Sequence, residues 1–226
     1  MESMFAKWLD GTFAGFDGAI LEFYHKFAEL CGVIMTPIMH AITITGDKAL
    51  VLLLLSFALC FFAKTKKVGI CMLFSIGCGA LMTNVILKET ICRVRPYEAS
   101  ALFREFWTFV GAHMESEFSF PSGHATAAAA AATGLWLAGG KKYLAISIPY
   151  VALMAASRNY FMVHYPTDVI AGAIIGTIGG FMGYMIMLLI YRGLNRNSEK
   201  KFCAFVLNFD LIKMFSKRAV SENETK

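Results

Sequence analysis

Long runs of apolar residues constrain the fold of this chain more than any other feature of its sequence. Of the 226 residues, 57% are hydrophobic and 16% are charged, whereas a soluble domain usually carries about 25% charged residues. An α-helix crosses a bilayer with roughly twenty consecutive apolar residues. Candidate segments lie at about 30–45, 49–63, 68–88, 122–138, 143–161 and 167–191. The sequence therefore predicts an all-α fold, a polytopic membrane helix bundle with about six transmembrane helices, or five as the alternative.

Residues 1–29 show a different, amphipathic pattern, which is typical of a helix that lies in the membrane interface. The apolar positions are Phe13, Phe16, Ile20, Phe23 and Phe27, and the charged positions are Asp17, Glu22 and Lys26. The next segment, 30–45, is short and contains Pro37. A tilted helix, a kinked helix and a helix that does not fully span are all compatible with it.

Basic clusters at the ends of the apolar segments predict the orientation of the chain. They occur at 63–67, at 139–142 and from Arg192 onward. Because cytoplasmic loops are enriched in Lys and Arg, we assign these clusters to the cytoplasm. The connections near 46–48, at 89–121 and at 157–166 then face the other side. We expect a multi-pass protein of the cell membrane whose polar connections are extracytoplasmic.

The chain then divides into an N-terminal amphipathic segment (1–29), a membrane domain (30–191) and a basic cytoplasmic tail (192–226). A net charge of +5 would favour a nucleic-acid partner in a soluble protein. Here the positive charges cap apolar segments, so we predict the bilayer as partner and no nucleic acid. The sequence does not indicate an oligomeric state.

The cysteines and glycines of the apolar runs indicate packing rather than chemistry. The six cysteines have no metal-ligand spacing, and we interpret them as small buried apolar side chains. Gly172, Gly176 and Gly180 recur every four residues, which lets another helix approach closely. The alanine-rich run 125–132 is the predicted partner of this stripe.

Three polar motifs stand at the outward ends of the apolar segments. In chain order they are K-x6-R-P at 88–96, P-S-G-H at 121–124 and S-R-x5-H-x3-D at 157–168. Each has a simple structural explanation when taken alone: a snorkelling lysine, a capped helix start, and a local His–Asp pair. Their gathering on one predicted side of the membrane favours a functional site instead.

The cations of these motifs predict a site for a phosphoryl group. Lys88, Arg95 and Arg158 supply positive charge, and arginine binds phosphate oxygens with two donors at once. Ser122 and Gly123 open a helix, whose first N–H groups add donors and the positive end of a dipole. A metal ion would be repelled by so many cations, so we predict no metal and no cofactor.

The remaining residues fit a nucleophile and an acid. Pro166 suits a first helical turn, which places Asp168 in that turn and His164 just before it. We predict that Asp168 accepts a hydrogen bond from one imidazole nitrogen of His164 and leaves the other free to attack phosphorus. His124, at a helix start, then protonates the leaving oxygen.

With these spacings the three motifs resemble the signature motifs of the type 2 phosphatidic acid phosphatase (PAP2) family, whose superfamily also includes vanadium haloperoxidases and glucose-6-phosphatase. Every motif position matches in order over residues 88–168. The resemblance implies a six-helix, metal-independent membrane phosphatase that works through a phosphohistidine. It also implies that Lys88, Arg95, Ser122, Gly123 and Arg158 bind the phosphoryl oxygens, which agrees with the roles inferred from charge. The N-terminal stretch is similar to small bacterial members that act on lipid phosphates.

The leading hypothesis is a lipid phosphatase that draws its substrate sideways from the bilayer. Undecaprenyl diphosphate is the favoured substrate, with phosphatidic acid and phosphatidylglycerol phosphate as alternatives. Segment 97–120 fits this hypothesis as an interfacial helix, with Leu102, Phe106, Phe109 and Val110 at helical spacing and Trp107 as an anchor. An ion or anion transporter is the alternative from another class, but repeated halves are not evident. Haloperoxidase chemistry is disfavoured because such enzymes are soluble and longer.

Overall fold

The computed structural model describes residues 2–214, and regular structure in this part of the chain is helical, without strands. The α-helices are α1 (Met4–Gly46), α2 (Leu50–Leu59), α3 (Lys66–Ala80), α4 (Lys88–Ile91), α5 (Pro96–Ala99), α6 (Ala101–Phe109), α7 (Gly123–Gly139), α8 (Leu144–Tyr160), α9 (Pro166–Arg196) and α10 (Lys201–Asn208). A π-helical stretch, Leu81–Leu87, joins α3 to α4, and short 3-10 turns occupy Asp47–Ala49 and Lys141–Tyr143. The predicted all-α fold is confirmed.

Three helical stretches are long and apolar enough to cross a membrane within the described residues: Met4–Leu59, Lys66–Ala99 and Pro166–Arg196. Helices α7 and α8 have 17 residues each, slightly fewer than the roughly twenty that span a hydrocarbon core. The membrane character of the bundle is therefore clear, and the number of six spans stays a prediction.

Helix α1 passes through residues 29 and 30 without a break, so the amphipathic segment and the first apolar segment form one helix. Ser3 caps its start, accepting a hydrogen bond from the Ala6 N–H at 3.1 Å. Pro37 lies inside it. Apolar side chains such as Val33 are almost fully exposed, as expected for a helix surrounded by lipid.

Helices α3, α7 and α9 form the packed centre of the bundle. A Cβ atom at Gly176 would lie 2.3 Å from the carbonyl oxygen of Thr126 on α7, and one at Gly180 would lie 2.4 Å from Thr133. A Cβ atom at Gly172 would lie 2.5 Å from the Ser122 carbonyl oxygen. The predicted packing of the glycine stripe on the alanine-rich helix is confirmed, since no larger residue would fit at this spacing.

The prediction that the cysteines are buried is wrong for most of them. Cys71 is buried, Cys31 is exposed, and the remaining ones are partly covered: Cys60, Cys78, Cys92 and Cys203. An apolar run in a membrane bundle turns one face towards lipid, so apolar surroundings along the sequence do not imply burial inside the protein.

The segment 97–120 contains a short amphipathic helix, as predicted. In α6, Phe106 is buried while Leu102 and Phe109 are exposed. The ring of Phe106 stacks on His25 of α1 with centroids 3.7 Å apart, and Trp107 stacks on Tyr97 at 4.9 Å. The helix thus lies against α1 beside the motif-bearing connections.

At the opposite end, the basic cluster 63–67 contacts the C-terminal part of the chain. The Lys66 ammonium is buried and donates to the carbonyl oxygens of Val206 at 2.7 Å and Phe209 at 2.6 Å. The predicted tail starts inside α9, which continues to Arg196, and its residues 215–226 lie outside the described part.

Candidate active site

The first motif is presented by an irregular stretch of helix. Between α3 and α4 the chain widens into the π-helical turn Leu81–Leu87, a feature that often accompanies functional sites. Thr83 in this turn shares a hydrogen bond of 2.9 Å with Thr126 of α7. The turn ends at Lys88, whose buried ammonium donates to the Glu117 carboxylate. The hydrogen bond to α7 therefore helps to position the turn that carries Lys88.

Arg95 precedes Pro96 at the start of α5 and is almost completely buried. Its Nε donates to the Glu117 carbonyl oxygen and its Nη1 to the Val163 carbonyl oxygen, both at 2.7 Å. The same Nη1 lies 3.4 Å from His164 Nε2. Two backbone acceptors thus hold the guanidinium against the predicted nucleophile.

The hydrogen bonds of His164 define which of its nitrogens is free. Nδ1 lies 2.7 Å from the carbonyl oxygen of Ser119. A carbonyl can only accept, so Nδ1 carries the proton and Nε2 carries the lone pair. Burial lowers the pKa of His164 well below its usual range, and the charges of Arg95 and Arg158 lower it further. The imidazole is therefore neutral, as a nucleophile must be.

The predicted contact between Asp168 and His164 is not made as expected. The Asp168 Oδ2 atom lies 3.8 Å from His164 Nδ1, too far for a hydrogen bond. Instead this oxygen accepts from the Ser119 hydroxyl at 2.5 Å and from the Tyr165 N–H at 2.9 Å. Asp168 thus holds Ser119 in place through its hydroxyl, and the Ser119 carbonyl oxygen in turn orients the imidazole of His164. The competing acceptor was a backbone atom, which a sequence motif does not reveal.

Arg93, which sequence reasoning did not single out, connects this pair to the N-terminal helix. Its side chain is 1% exposed. Nη1 donates to Asp168 Oδ1 at 2.6 Å, and Nη2 donates to Asp17 Oδ2 of α1 at 3.0 Å. Asp10 accepts from Nε at 2.8 Å, and the guanidinium lies 3.9 Å above the Tyr165 ring. The available signal in the sequence was the position of Arg93 between Cys92 and Val94, since a cation that becomes buried beside apolar residues needs ionic partners.

The second motif forms the N-terminus of α7, and its residues point in different directions. Ser122 is fully buried and caps the helix, its hydroxyl accepting weakly from Ala125 N–H at 3.5 Å. Its N–H donates to the Asp168 carbonyl oxygen at 3.0 Å. Gly123 lies close to Lys88: a Cβ placed there would be 3.9 Å from Nζ. Gly123 and His124 therefore face the site, while Ser122 anchors the helix behind it.

Arg158, at the end of α8, completes the group of cations. It is buried, and its Nη1 donates to the Thr43 hydroxyl of α1 at 2.6 Å. Its Nη2 donates to the Glu115 carboxylate. Burial raises the pKa of Glu115, but the charge and hydrogen bond of Arg158 outweigh this effect and bring that pKa to about 2. Glu115 is therefore ionised across the physiological range.

Two carboxylates that sequence reasoning did not assign to the site contact these cations. Glu115 and Glu117 belong to the connection between α6 and α7, and they pair with Arg158 and Lys88 respectively. The Glu117 side chain is 61% exposed, so it contacts Lys88 from the solvent-exposed side. Any anion that binds these cations would have to displace the two carboxylates from them.

These residues surround a cavity of about 420 Å³. Of the predicted site residues, it is lined by Lys88, Arg95, Gly123, His124, Arg158 and His164. Ser122 and Asp168 lie behind its wall. Part of its lining is apolar and is formed by Leu53, Leu73, Ile76 and Ala80. The lining can therefore contact both a polyanion and an alkyl chain.

Fold and site together define a helical membrane protein with a cationic cavity that holds two histidines. The PAP2 superfamily profile matches residues 68–199, more than half of the chain. This chain belongs to the PAP2 superfamily.

Curated relatives carry the names of lipid phosphatases. An undecaprenyl-diphosphatase of Sulfolobus acidocaldarius is 30% identical over 57% of this chain and 59% of its own length. A lipid A 4'-phosphatase of Bacteroides thetaiotaomicron is 32% identical over 53% of this chain and 56% of its own. The alignment with phosphatidylglycerophosphatase B of Bacillus subtilis reaches 66% of this chain and 73% of the relative, with 32% identity. The chain thus spans only a little over half of the first two relatives.

Two solved structures share the fold. The crystal structure of Aquifex aeolicus LpxE superposes with a TM-score of 0.58 and 25% identity, over 72% of this chain and 93% of that one. The crystal structure of the transmembrane PAP2-type phosphatidylglycerolphosphate phosphatase of Bacillus subtilis superposes with a TM-score of 0.58 and 26% identity. The match covers 81% of this chain and 92% of that one.

Proposed function

We propose that this protein is an integral membrane lipid phosphatase that hydrolyses a phosphate monoester or diphosphate of a lipid through a phosphohistidine on His164. The observation that carries the proposal is the state of this imidazole. Nδ1 is bound to the Ser119 carbonyl at 2.7 Å, which leaves the lone pair on Nε2, 3.4 Å from Arg95 Nη1. His164, Lys88, Arg95 and Arg158 line one cavity, so a phosphoryl group that binds these cations in place of the Arg95–Nε2 contact lies against Nε2.

The reaction consists of two displacements at phosphorus. In the first, Nε2 forms a bond to phosphorus while the bond to the leaving oxygen breaks, and His124 donates a proton to that oxygen. In the second, a water attacks the phosphohistidine, giving its proton to His124, and phosphate leaves with the histidine restored. Lys88, Arg95 and Arg158 stabilise the charge on the equatorial oxygens throughout. Backbone N–H groups near Gly123 at the start of α7 support this charge.

For the substrate we propose a lipid with a long chain, and undecaprenyl diphosphate as the first candidate. The apolar part of the cavity supports a lipid, and a relative is named undecaprenyl-diphosphatase. Phosphatidylglycerol phosphate is supported by the name of the Bacillus subtilis relative, and phosphatidic acid offers the same headgroup chemistry.

We also propose that the site opens on the extracytoplasmic side of the cell membrane. The positive-inside rule supports this orientation. It is further supported by the contact of Lys66 with the segment after α9, because both regions then belong to one side of the bundle, away from the motifs.

The test is phosphate release by the purified chain in detergent from undecaprenyl diphosphate, phosphatidylglycerol phosphate and phosphatidic acid, with EDTA present. We expect turnover of at least one lipid, undiminished by the chelator, and none with His164→Ala. Absence of release from every lipid, or activity that requires added Mg²⁺ or Mn²⁺, would contradict the proposal.

A further inference from the structure

The turn between α1 and α2 packs directly on the proposed acid, His124. A Cβ atom at Gly46 would lie 2.8 Å from His124 Cδ2 and 2.8 Å from the Met154 methyl carbon, so only glycine fits here. Lys48 and Ala49 have φ angles of 47° and 55°. Residues other than glycine and asparagine rarely adopt this left-handed backbone conformation. The fold thus maintains an unfavourable backbone at this point of the cavity wall.

The turn Gly46–Ala49 lines the same cavity as the two histidines and the cations, and Gly46 lies directly against His124. In the proposed reaction His124 protonates the leaving oxygen, so the group bonded to that oxygen comes close to this turn. In a lipid diphosphate this group is the second, lipid-proximal phosphoryl group.

Lys48 is the cation of this turn, and it lines the cavity. The other cations there already have partners: Lys88 pairs with Glu117 and Arg158 with Glu115. Arg95 donates to backbone carbonyls. Among the cavity-lining residues within 2–214, Lys48 alone of the cations has neither a hydrogen bond nor an ion pair. Asp47 also lines the cavity. Its carboxylate interacts electrostatically with the Arg158 guanidinium.

We propose that Lys48 binds the inner, lipid-proximal phosphoryl group of a lipid diphosphate and makes the enzyme prefer diphosphates to monoesters. The inference rests on the proposed phosphatase function. Cleavage of a diphosphate leaves a lipid monophosphate, on which negative charge grows as the bond breaks, and an ammonium beside it stabilises that charge. Cleavage of a monoester leaves a neutral alcohol, for which Lys48 has no such effect.

The test compares farnesyl diphosphate with farnesyl monophosphate, two substrates with the same chain, on the purified full-length protein. We expect Lys48→Gln to lower the ratio of kcat/KM for diphosphate over monophosphate by about tenfold, a loss smaller than that of a fully buried oxyanion donor because Lys48 is exposed. Lys48→Arg should restore most of the ratio because it keeps the charge. Lys64→Gln is the matched control, since Lys64 is also exposed but lies outside the cavity.

The outcomes separate this inference from the proposed function. An unchanged ratio in Lys48→Gln, or equal losses on both substrates, overturns the role of Lys48 while the phosphatase stands. A wild-type protein that hydrolyses only the monophosphate also overturns it. If the wild type hydrolyses neither farnesyl substrate nor any lipid of the earlier panel, the proposed function and this inference fail together.

Discussion

The Nδ1 atom of His164 lies 2.7 Å from the Ser119 carbonyl oxygen and 3.8 Å from the Asp168 carboxylate. The carboxylate therefore acts on the imidazole through Ser119, whose hydroxyl donates to it at 2.5 Å. This arrangement differs from a catalytic triad, in which the carboxylate accepts directly from the histidine.

Removing the Ser119 hydroxyl tests this indirect arrangement. Ser119→Ala keeps the carbonyl but frees the residue from Asp168, so we expect kcat to fall on the order of 10²-fold through displacement of the imidazole, with KM changed less than about threefold. Asp168→Asn should give a similar loss. Steady-state kinetics on a lipid phosphate measures both. A large loss in Asp168→Asn with wild-type activity in Ser119→Ala would instead show a direct action of Asp168.

A trapping experiment should distinguish the roles of the two histidines. His124→Ala should still form a phosphoenzyme from a labelled aryl phosphate, since that leaving oxygen needs no proton, but should lose on the order of 10²–10⁴ in rate on a lipid substrate. His164→Ala should form none. Rapid quench under alkaline conditions, where phosphohistidine survives, measures both. Label trapped in His164→Ala but not in His124→Ala would reverse the assignments.

Glu117 should compete with anions for Lys88. Glu117→Gln removes a negative charge next to the Lys88 ammonium. We therefore expect orthovanadate to inhibit this variant at a concentration about two- to fivefold lower, as for a partly exposed ion pair worth up to about 1 kcal/mol. Glu105→Gln, on the exposed face of α6, is the control. Weaker vanadate inhibition in Glu117→Gln would mean that the glutamate positions Lys88 rather than competes with its ligand.

The glycine stripe supplies a matched pair for stability. Gly176→Ala places a methyl group 2.3 Å from the Thr126 carbonyl oxygen, whereas Gly193→Ala, on the same helix, meets nothing within 4 Å. Overpacking of this kind costs about 1–3 kcal/mol, so the melting temperature of Gly176→Ala in detergent should fall. Gly193→Ala should equal or exceed the wild type because alanine favours helix. Equal melting temperatures would show that α7 and α9 can move apart without cost.

Topology can be measured by labelling with an impermeant thiol reagent in intact cells, on a background in which the six native cysteines are replaced by alanine or serine. Ser116→Cys, exposed beside the site, should react, and Lys141→Cys, exposed in the opposite connection, should react only after permeabilisation. The reverse pattern would place the site in the cytoplasm.

Sequence reasoning predicted the parts of this molecule that are local in the chain or that obey a period. Apolar runs predicted the helices, and the four-residue spacing of Gly176 and its neighbours predicted the α7–α9 contact. The charges of Lys88, Arg95 and Arg158 predicted their gathering in one cavity. These features follow from residue type and spacing alone.

Other features depend on tertiary contacts that leave little trace in the sequence. The acceptor of His164 is a main-chain carbonyl, which every residue possesses. Glu115 and Glu117 stand in a connection without periodicity, so nothing marked them as partners of the cations. The boundary expected near residue 29 was drawn from a change in polarity, but helix α1 continues because polarity on one face does not interrupt backbone hydrogen bonding.

The ion cluster around Arg93 has a consequence for how the chain can be divided. Arg93 belongs to the region by which the superfamily is recognised, but Asp10 and Asp17 reach it from α1. Asp17 also accepts from the Thr167 N–H at 3.0 Å, one residue before Asp168. A fragment that starts at residue 68 would bury a guanidinium stripped of most of its counter-ions. Helix α1 therefore belongs to the same cooperative folding unit as the matched region, although it lies outside that region in the sequence.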